Sequence, residues 1–200
     1  MRATNSLKRA LMPETRAPIR ITGQSLDAIA ALVADRALPP VDKWNPTHCG
    51  DSEMRIARDG TWYHQGQPIT RPAMVRLFST VLRREPDGSH ILVTPAEKLA
   101  IEVEATAFIA LEMESEGIRE NRRIALSLNS GDALVVGRDH PLAVIEDEHG
   151  LRPRILVRHG LEATLARPLY YELAEIALAE GHDPPGVWSD GCFFPLMPAR

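Results

Sequence analysis

The feature that most constrains the fold is a run of short alternating segments in the second half of the chain. Apolar and polar residues alternate in several stretches between residues 90 and 158, and Gly, Asp or Asn residues separate these stretches. A period of two is typical of strands with one buried face, and the separating residues favour tight turns. An amphipathic helical pattern then begins at Pro168 and ends at Gly181. This order predicts an antiparallel meander roll capped by a terminal helix.

The first half of the chain predicts a smaller α+β module. SLDAIAALVADRAL (25–38) has apolar residues on one helical face and Ser25 as its N-cap, and MRIARDGTWYH (54–64) is typical of a hairpin around Asp59-Gly60. PAMVRLFSTVLRRE (72–85) reads as a helix that begins at a proline. We therefore predict an α+β fold of two small sheet-plus-helix modules, with a flexible tail over 1–20, an N-terminal module over 21–104 and a C-terminal roll over 105–200.

An internal echo bears on the origin of the two modules. The segments 69–77 and 165–173 each contain strand-like residues, an Arg-Pro pair and the start of an amphipathic helix. Two interpretations remain open. The echo marks a duplication of one sheet-plus-helix unit, or it reflects only the preference for proline at the start of a helix.

Charge and composition exclude several classes of function. The 23 basic and 27 acidic residues give a net charge of -4, whereas non-specific nucleic-acid binding needs a basic surface. No apolar run reaches the ~18 residues that a membrane span requires. The two cysteines, Cys49 and Cys192, form neither a disulfide framework nor a CxxC pair. We expect a cytoplasmic protein that binds no nucleic acid and has no membrane span.

The segment WNPTHCG (44–50) concentrates residues that are capable of chemistry. A zinc site needs about four ligands at suitable spacing, and the side chains of the adjacent His48 and Cys49 point apart. A nucleophilic Cys49 needs a base from elsewhere in the fold. We favour the third interpretation, a packed loop anchored by Trp44. Because the usual hydrolase, nucleotide-binding and zincin motifs are also absent, we predict no metal, no cofactor and no catalytic residue.

A cleft for a small ligand is the stronger functional hypothesis. Arg71 and Arg167 stand at the starts of two predicted helices, where a guanidinium and the helix dipole both favour anions. Thr94, Glu97 and Lys98 could offer a hydroxyl, a carboxylate and an ammonium to the same cleft, although a simple turn also explains the segment. Trp62 and Tyr170 could stack on a planar ligand, and Trp44 and Cys49 could form one wall.

Four segments, in this order, resemble a bacterial family known as domain of unknown function 1285. They are WNPTHCG, RDGTWYHQGQPITRPAMVRLFSTVLRREPDG, HILVTPAEK and SDGCFFPL. The resemblance implies two duplicated α+β modules, the second superficially similar to a pleckstrin-homology roll. It also implies a ligand site between the modules, for something nucleotide-like, and a role in signalling. It implies no catalytic residues.

The sequence therefore predicts a non-enzymatic protein that binds a small ligand, with a nucleotide-like anion as one candidate, in a regulatory or signalling role. A protein–protein interaction module is the first alternative, and it would present a large exposed apolar patch to a protein partner. An enzyme that uses Cys49 or His48 is the second, and it would have a reactive thiol in a cleft.

Overall fold

A computed structural model describes residues 17–147 and 150–198 of the chain. The chain forms two compact units, called here the N-terminal unit, Arg36–Ala105, and the C-terminal unit, which contains Pro18–Asp35 together with the chain from Thr106 onward. Most of the tail predicted over residues 1–20 lies outside the described residues. Its last residues belong to the structure, because Ile19 packs against the core of the C-terminal unit.

The N-terminal unit is a six-stranded sheet with one α-helix. Its spatial strand order is β3-β2-β1-β6-β5-β4, so two three-stranded meanders meet at the centre. The helix α2, Pro72–Thr80, connects the two meanders, and its Phe78 stacks on the buried Trp62 at 6.3 Å between ring centroids. The six strands are β1 (His48–Ile56), β2 (Trp62–His64), β3 (Gln67–Pro68), β4 (Leu82–Arg84), β5 (His90–Val93) and β6 (Glu97–Val103).

The C-terminal unit has a second six-stranded sheet, two helices and a hairpin. Its strand order is β10-β11-β12-β7-β8-β9. The helices are α1, Leu26–Ala34, and α3, Arg167–Glu180, and the hairpin consists of β13, Gly186–Ser189, and β14, Cys192–Pro195. The six strands of the sheet are β7 (Phe108–Glu116), β8 (Arg123–Leu128), β9 (Ala133–Val135), β10 (Leu142–Asp147), β11 (Gly150–Arg158) and β12 (Leu161–Leu165).

Both sheets have the same topology. When the strands of each sheet are numbered one to six along the chain, the spatial order is 3-2-1-6-5-4 in both, and the central strands 1 and 6 pair in parallel. The predicted antiparallel meander is therefore correct inside each half of a sheet, whereas the centre of each sheet is a parallel pair. The repeated order confirms the prediction of two similar modules.

The Arg-Pro echo does not mark this repeat. In the N-terminal unit, Arg71 precedes α2, which lies between the third and fourth strands. In the C-terminal unit, Arg167 is the first residue of α3, which follows the sixth strand. The two helices occupy different places in the same topology, so the echo reflects the chemistry of helix starts.

The two edges of the C-terminal sheet lie close together. The N–H of Val136, directly after β9, donates to the carbonyl of Ile124 of β8, and the carbonyl of Pro141, directly before β10, accepts the N–H of Leu156 of β11. Between them the N–H of Gly137 donates to the carbonyl of His140 at 3.1 Å, so a tight turn connects the two edge strands. A flat sheet of six strands would separate its edges by about 24 Å, because neighbouring strands lie about 4.8 Å apart. The sheet therefore curls, which gives the predicted roll.

The sequence did not predict the hairpin β13–β14, in which Asp190 and Gly191 have the positive φ angles, 48° and 72°, of a tight turn. Ser189 attaches the hairpin to the roll. Its hydroxyl is completely buried, donates to the carbonyl of Val136 at 2.6 Å and accepts the backbone N–H of Ile124 at 2.9 Å. A buried hydroxyl that satisfies two backbone groups specifies one docking position. The hairpin therefore closes the roll together with α3, whereas the sequence predicted a helix alone.

Two further predictions of local structure are corrected. The helix predicted over 72–85 ends at Thr80, because Leu82 is fully buried as a strand residue paired with Leu92. The helix predicted over 25–38 is α1 and ends at Ala34, with Ser25 as its N-cap as predicted. This helix was assigned to the N-terminal module, but it packs on β7, β8 and β9 of the C-terminal unit. Sequence proximity suggested the first assignment, and the apolar face of the C-terminal sheet decides the second.

Burial of the α1 face should determine the stability of the C-terminal unit. Ile29 is completely buried and packs in a cluster with Leu26, whereas Leu32 of the same helix is 45% exposed. We expect Ile29→Ala to lower the free energy of unfolding by about 2–4 kcal/mol. The matched variant Leu32→Ala should change it by less than about 0.5 kcal/mol. Urea unfolding measures both, and similar losses would contradict this packing.

The carboxylate of Glu180 ties the end of α3 to the turn at Arg119–Asn121. It accepts the backbone N–H of Arg119 at 2.7 Å and the guanidinium of Arg122 at 2.9 Å, and His182 Nε2 lies 3.4 Å from its second oxygen. Burial raises the pKa of this carboxyl. The hydrogen bonds from Arg119 and Arg122, with the charge of Arg122, outweigh burial and hold the pKa below its ordinary value of 4.5.

A depressed pKa makes this contact dependent on pH. Its contribution to stability is complete above the pKa of the unfolded chain and is lost as the pH falls through the lower pKa of the folded protein. We expect Glu180→Gln to cost on the order of 2 kcal/mol at pH 7 and to flatten the loss of stability below about pH 4.5. Urea unfolding between pH 7 and pH 3 tests this, and parallel pH profiles would count against the contact.

Candidate functional site

Two of the predicted ligand-binding residues are core residues. Trp62 is 2% exposed and packs on Phe78, so its ring is not available to a ligand. Trp44 is 8% exposed, as the packed-loop interpretation predicted. Its carbonyl accepts a hydrogen bond from Arg83 at 2.7 Å, and the same guanidinium nitrogen donates to the carbonyl of Val41. Arg83 of β4 therefore holds the Trp44 segment on the sheet, a role that the sequence did not indicate.

The predicted residues at the helix starts lie in different units. Arg71 is exposed at the N-cap of α2, and Arg167 is exposed at the first residue of α3. Tyr170 is half-buried on α3 and stacks on the exposed Tyr171 with 6.4 Å between ring centroids. These positions leave both guanidinium groups accessible to solvent.

The remaining candidates lie together where β1 and β6 begin. The two strands pair in parallel, with His48 opposite Glu97 and Cys49 opposite Lys98. WNPTHCG is therefore not entirely loop, because its last three residues belong to β1. Cys49 is exposed rather than buried, and its thiol donates to the carbonyl of Thr47 at 3.6 Å.

The His48 pair is a surface contact, and the Thr94 segment is a turn. His48 Nε2 lies 4.0 Å from Glu97 Oε2, and the two side chains are 69% and 44% exposed. Thr94 Oγ1 accepts the backbone N–H groups of Ala96 and Glu97 at 3.3 and 3.2 Å, which is the ordinary chemistry of a turn. Within residues 17–147 and 150–198, no group of three or more His, Cys, Asp or Glu side chains could hold a metal ion.

Cys49 and Lys98 belong to the solvent-facing side of the central strand pair. Side chains alternate between the two faces of a strand, so residues two positions apart share a face. Asp51 and Ala100, the next pair on this face, are both exposed, whereas Ile101 is buried on the other side. The parallel pair therefore presents one polar outer face to solvent.

A β-bulge interrupts this face. The register shifts between Asp51 and Met54, so Ser52 and Glu53 have no partners in β6. Ser52 Oγ donates to the carbonyl of Ala100 at 2.6 Å, and the carbonyl of Glu53 accepts the N–H of Gln65 at 2.9 Å. Glu53 has a φ of 54°, which is unusual outside glycine. Bulges redirect side chains next to functional sites, and this one turns Glu53 toward the β2–β3 turn.

A recess of about 530 Å³, open to solvent, lies at the bulge. Small-molecule sites have volumes of about 300–1,000 Å³. The small side chain of Ala100 and the absence of one at Gly66 leave this space on the outer face of the sheet. The recess is lined by Asp51, Glu53, Met54, Arg55, Gly66, Ala100, Ile101 and Glu102. None of the nine ligand-binding residues predicted from the sequence belongs to this set.

The lining is acidic. Three carboxylates, of Asp51, Glu53 and Glu102, face one guanidinium, of Arg55. That guanidinium forms an ion pair with Glu104 and lies over the ring of Tyr63 at 4.4 Å, so its charge is already compensated. In the described part of the chain, no hydrogen bond or ion pair engages the carboxylate of Glu102. The recess therefore favours positive charge.

The sequence carried only a weak signal for this recess. Asp51-Ser52-Glu53 interrupts the alternation expected of a strand, but a polar interruption is equally typical of a turn. The recess also depends on the pairing of β1 with β6, which are separated along the chain by four strands and the helix α2. Local patterns do not predict such pairing.

The comparisons with known proteins place this architecture in a family. The N-terminal domain model of domain of unknown function 1285 (DUF1285) matches residues 39–106, and the C-terminal domain model of DUF1285 matches residues 107–196. The chain belongs to the DUF1285 family. The two DUF1285 models meet between Thr106 and Ala107, next to the boundary between the units at Ala105 and Thr106. The resemblance that the sequence motifs indicated is thereby confirmed.

A solved structure of a DUF1285 protein shares this fold. A crystal structure of a DUF1285 family protein from Silicibacter pomeroyi DSS-3 is 41% identical, with a TM-score of 0.75, over 89% of this chain and 97% of that chain. A DUF1285 family protein from Shewanella baltica OS155 is 19% identical, with a TM-score of 0.46, over 61% of this chain and 90% of that chain. No curated protein matches the sequence. None of the helices in the described ranges is long and apolar enough to cross a membrane.

The exposure of Cys49 gives a direct test of the outer face. We expect iodoacetamide to modify Cys49 in the folded protein on the order of tenfold faster than the half-buried Cys192. Mass spectrometry of peptides after timed quenching measures both rates, and Cys49→Ser provides the control for peptide assignment. Protection of Cys49 until the protein unfolds would contradict its position in β1.

Proposed function

We propose that this DUF1285 chain is a non-enzymatic, cytoplasmic protein that binds a small, positively charged organic molecule in the recess of its N-terminal unit, in a regulatory or signalling role. The observation that carries the proposal is the recess of about 530 Å³ at the bulge, with three carboxylates in its lining. A volume of this size accommodates a molecule of metabolite size. The carboxylates supply hydrogen-bond acceptors and negative charge for an amine or guanidine group.

The lining residues favour binding over chemistry. They comprise three carboxylates, one guanidinium and apolar or small side chains, without a thiol, hydroxyl or imidazole to serve as a nucleophile with its base. Cys49 lies on the same face of β1. It is paired with Lys98, nearer the start of the strand, and does not line the recess. A protein that binds a ligand without converting it can act only through the difference between its bound and free states. For this reason we propose a regulatory role.

The negative charge of the recess favours a cationic ligand over the nucleotide-like anion that the sequence suggested. Phosphate groups would approach Asp51, Glu53 and Glu102 with like charge, at a cost in affinity. The exposed arginines at the helix starts, Arg71 and Arg167, remain the residues that an anion would favour. We therefore propose a cationic ligand, and no anionic one, for the recess.

Thermal-shift screening with both kinds of ligand tests the proposed function. Spermidine, agmatine and choline represent cations, and AMP and ATP represent anions. A cation at 100 times its Kd should stabilise the folded protein by about 2.7 kcal/mol, which raises Tm by about 5–10 °C. Stabilisation by the nucleotides alone, or by no member of the panel, would overturn the proposal.

Two variants on the same strand locate the site. Glu102 lines the recess, and Glu97 lies on the opposite face of β6. We expect Glu102→Gln to weaken binding of the active cation about tenfold, equivalent to about 1.4 kcal/mol, and Glu97→Gln to leave it unchanged. Isothermal titration at two salt concentrations measures this difference. Equal weakening by both variants would indicate general attraction to an acidic protein and count against a site.

A further inference from the structure

The thiol of Cys49 and the amine of Lys98 are neighbours on the outer face of the N-terminal sheet. The two residues are paired in the parallel register of β1 and β6, so both side chains project from the same face. Paired strands lie about 4.8 Å apart, and the flexible four-carbon stem of lysine bridges such a separation. The fold therefore places two nucleophilic groups side by side that lie far apart along the chain.

The thiol is accessible to a reagent in solution. Cys49 is exposed, and its sulfur donates to the backbone carbonyl of Thr47 at 3.6 Å. A thiol is a weak hydrogen-bond donor, so this contact orients the sulfur without blocking its reaction. Cys192, the other cysteine of the chain, is half-buried and pairs with Ser189 in the hairpin β13–β14. Cys49 is therefore the thiol that combines exposure with a neighbouring amine.

The surroundings of Lys98 leave its amine without a competing polar partner. On the side away from β1, Lys98 is paired with Val93 of β5, which is completely buried and apolar. Asp51, the next residue of β1 on this face, directs its carboxylate into the bulge, where it accepts a backbone N–H at 2.8 Å. In the ranges that the structure describes, no hydrogen bond or ion pair engages the amine of Lys98. The amine can therefore turn toward the thiol.

We propose that Cys49 and Lys98 form an acyl-accepting pair, a modification site that takes an acyl group from a thioester such as acetyl-coenzyme A and retains it as an amide on Lys98. In the first step the thiolate of Cys49 attacks the thioester carbonyl. A C–S bond forms at Cys49, the bond to the coenzyme sulfur breaks, and the coenzyme leaves as a thiolate that takes up the proton released by Cys49.

The second step transfers the acyl group between the paired strands. The neutral amine of Lys98 attacks the carbonyl carbon of the S-acyl group, a C–N bond forms and the C–S bond breaks. One proton passes from the nitrogen to the sulfur, so the thiol of Cys49 is restored. Neither step changes an oxidation state. The product is a stoichiometric modification that replaces the positive charge of Lys98 by a neutral amide.

The pairing accelerates the reaction for a physical reason. A lysine amine is mostly protonated near neutral pH and attacks thioesters slowly, whereas a thiolate exchanges with them readily. Once the acyl group is on Cys49, its transfer takes place within one molecule, and groups that are held together react as if at a very high local concentration. An amide is more stable than a thioester, so the acyl group remains on the nitrogen.

Acetylation by acetyl-coenzyme A tests the pair, with Lys43 as the internal control. Lys43 is exposed and lies in a 3-10 turn, outside the strand pairs, whereas Lys98 is half-buried. Exposure alone therefore predicts faster acetylation of Lys43. We expect the opposite, with Lys98 acetylated on the order of tenfold faster. Peptide mass spectrometry gives both rates at about pH 8, with incubation continued until Lys43 is measurably acetylated. Equal rates, or a faster Lys43, would overturn the proposal.

Two surface variants separate the two steps. Cys49→Ser removes the thiol and should lower the rate at Lys98 on the order of tenfold, while the rate at Lys43 stays the same. Lys98→Arg keeps the charge but accepts no acyl group, so an S-acetyl group that neutral hydroxylamine releases should accumulate on Cys49. Unchanged acetylation of Lys98 in the first variant, or no S-acetyl group on Cys49 in the second, would contradict the transfer.

Unfolding the chain shows whether the preference comes from the fold. In guanidinium chloride the register of β1 and β6 is lost, and Cys49 and Lys98 separate. We expect the rates at Lys98 and Lys43 to become equal under these conditions. A preference for Lys98 that persists in the unfolded chain would come from local sequence and would overturn the proposal. Circular dichroism reports whether the variants keep the fold, and the comparison of folded with unfolded wild-type protein decides the outcome without them.

Discussion

The parallel pairing of the first and last strands of each sheet is the interaction on which the rest of the structure depends. In the N-terminal unit, β1 pairs with β6, and in the C-terminal unit, β7 pairs with β12. Each pair joins two three-stranded antiparallel meanders into one six-stranded sheet. The same pairing produces the order 3-2-1-6-5-4 twice, and this shared order, rather than the Arg-Pro echo, marks the repeated unit.

The candidate site follows from that pairing in the N-terminal unit. The bulge at Ser52 and Glu53 interrupts the register of β1 against β6, and the recess opens on the outer face at this interruption. An unpaired insertion in a central strand costs ladder hydrogen bonds, which here are replaced by Ser52 to Ala100 and by Gln65 to Glu53. Replacement by specific contacts indicates that the bulge is a defined feature of the fold, and the carboxylates beside it define what the recess attracts.

The C-terminal unit repeats the strand order, but more elements pack on its sheet. Its sheet curls into a roll, and three separate elements cover it: α3, the hairpin β13–β14, and α1 from the segment 18–35. Ser189 positions the hairpin through two buried hydrogen bonds, and Glu180 positions the end of α3. The segment 18–35 contacts the sheet through its apolar face and through the start of α1.

The sequence by itself determined the α+β class, two modules, most of the strands, Ser25 and Gly181 as helix caps, and Trp44 as an anchor. These features depend on local periodicity, turn residues and capping, whose signals lie within a few positions of each other. Only the tertiary structure decided that β1 pairs with β6, that α1 belongs to the C-terminal unit, that Trp62 is core and that Cys49 is exposed. Each of these depends on contacts between residues distant along the chain, where many partners satisfy the same pattern and only packing selects one. The acidic recess belongs to this second group, because its carboxylates come from two strands that meet only in the folded sheet.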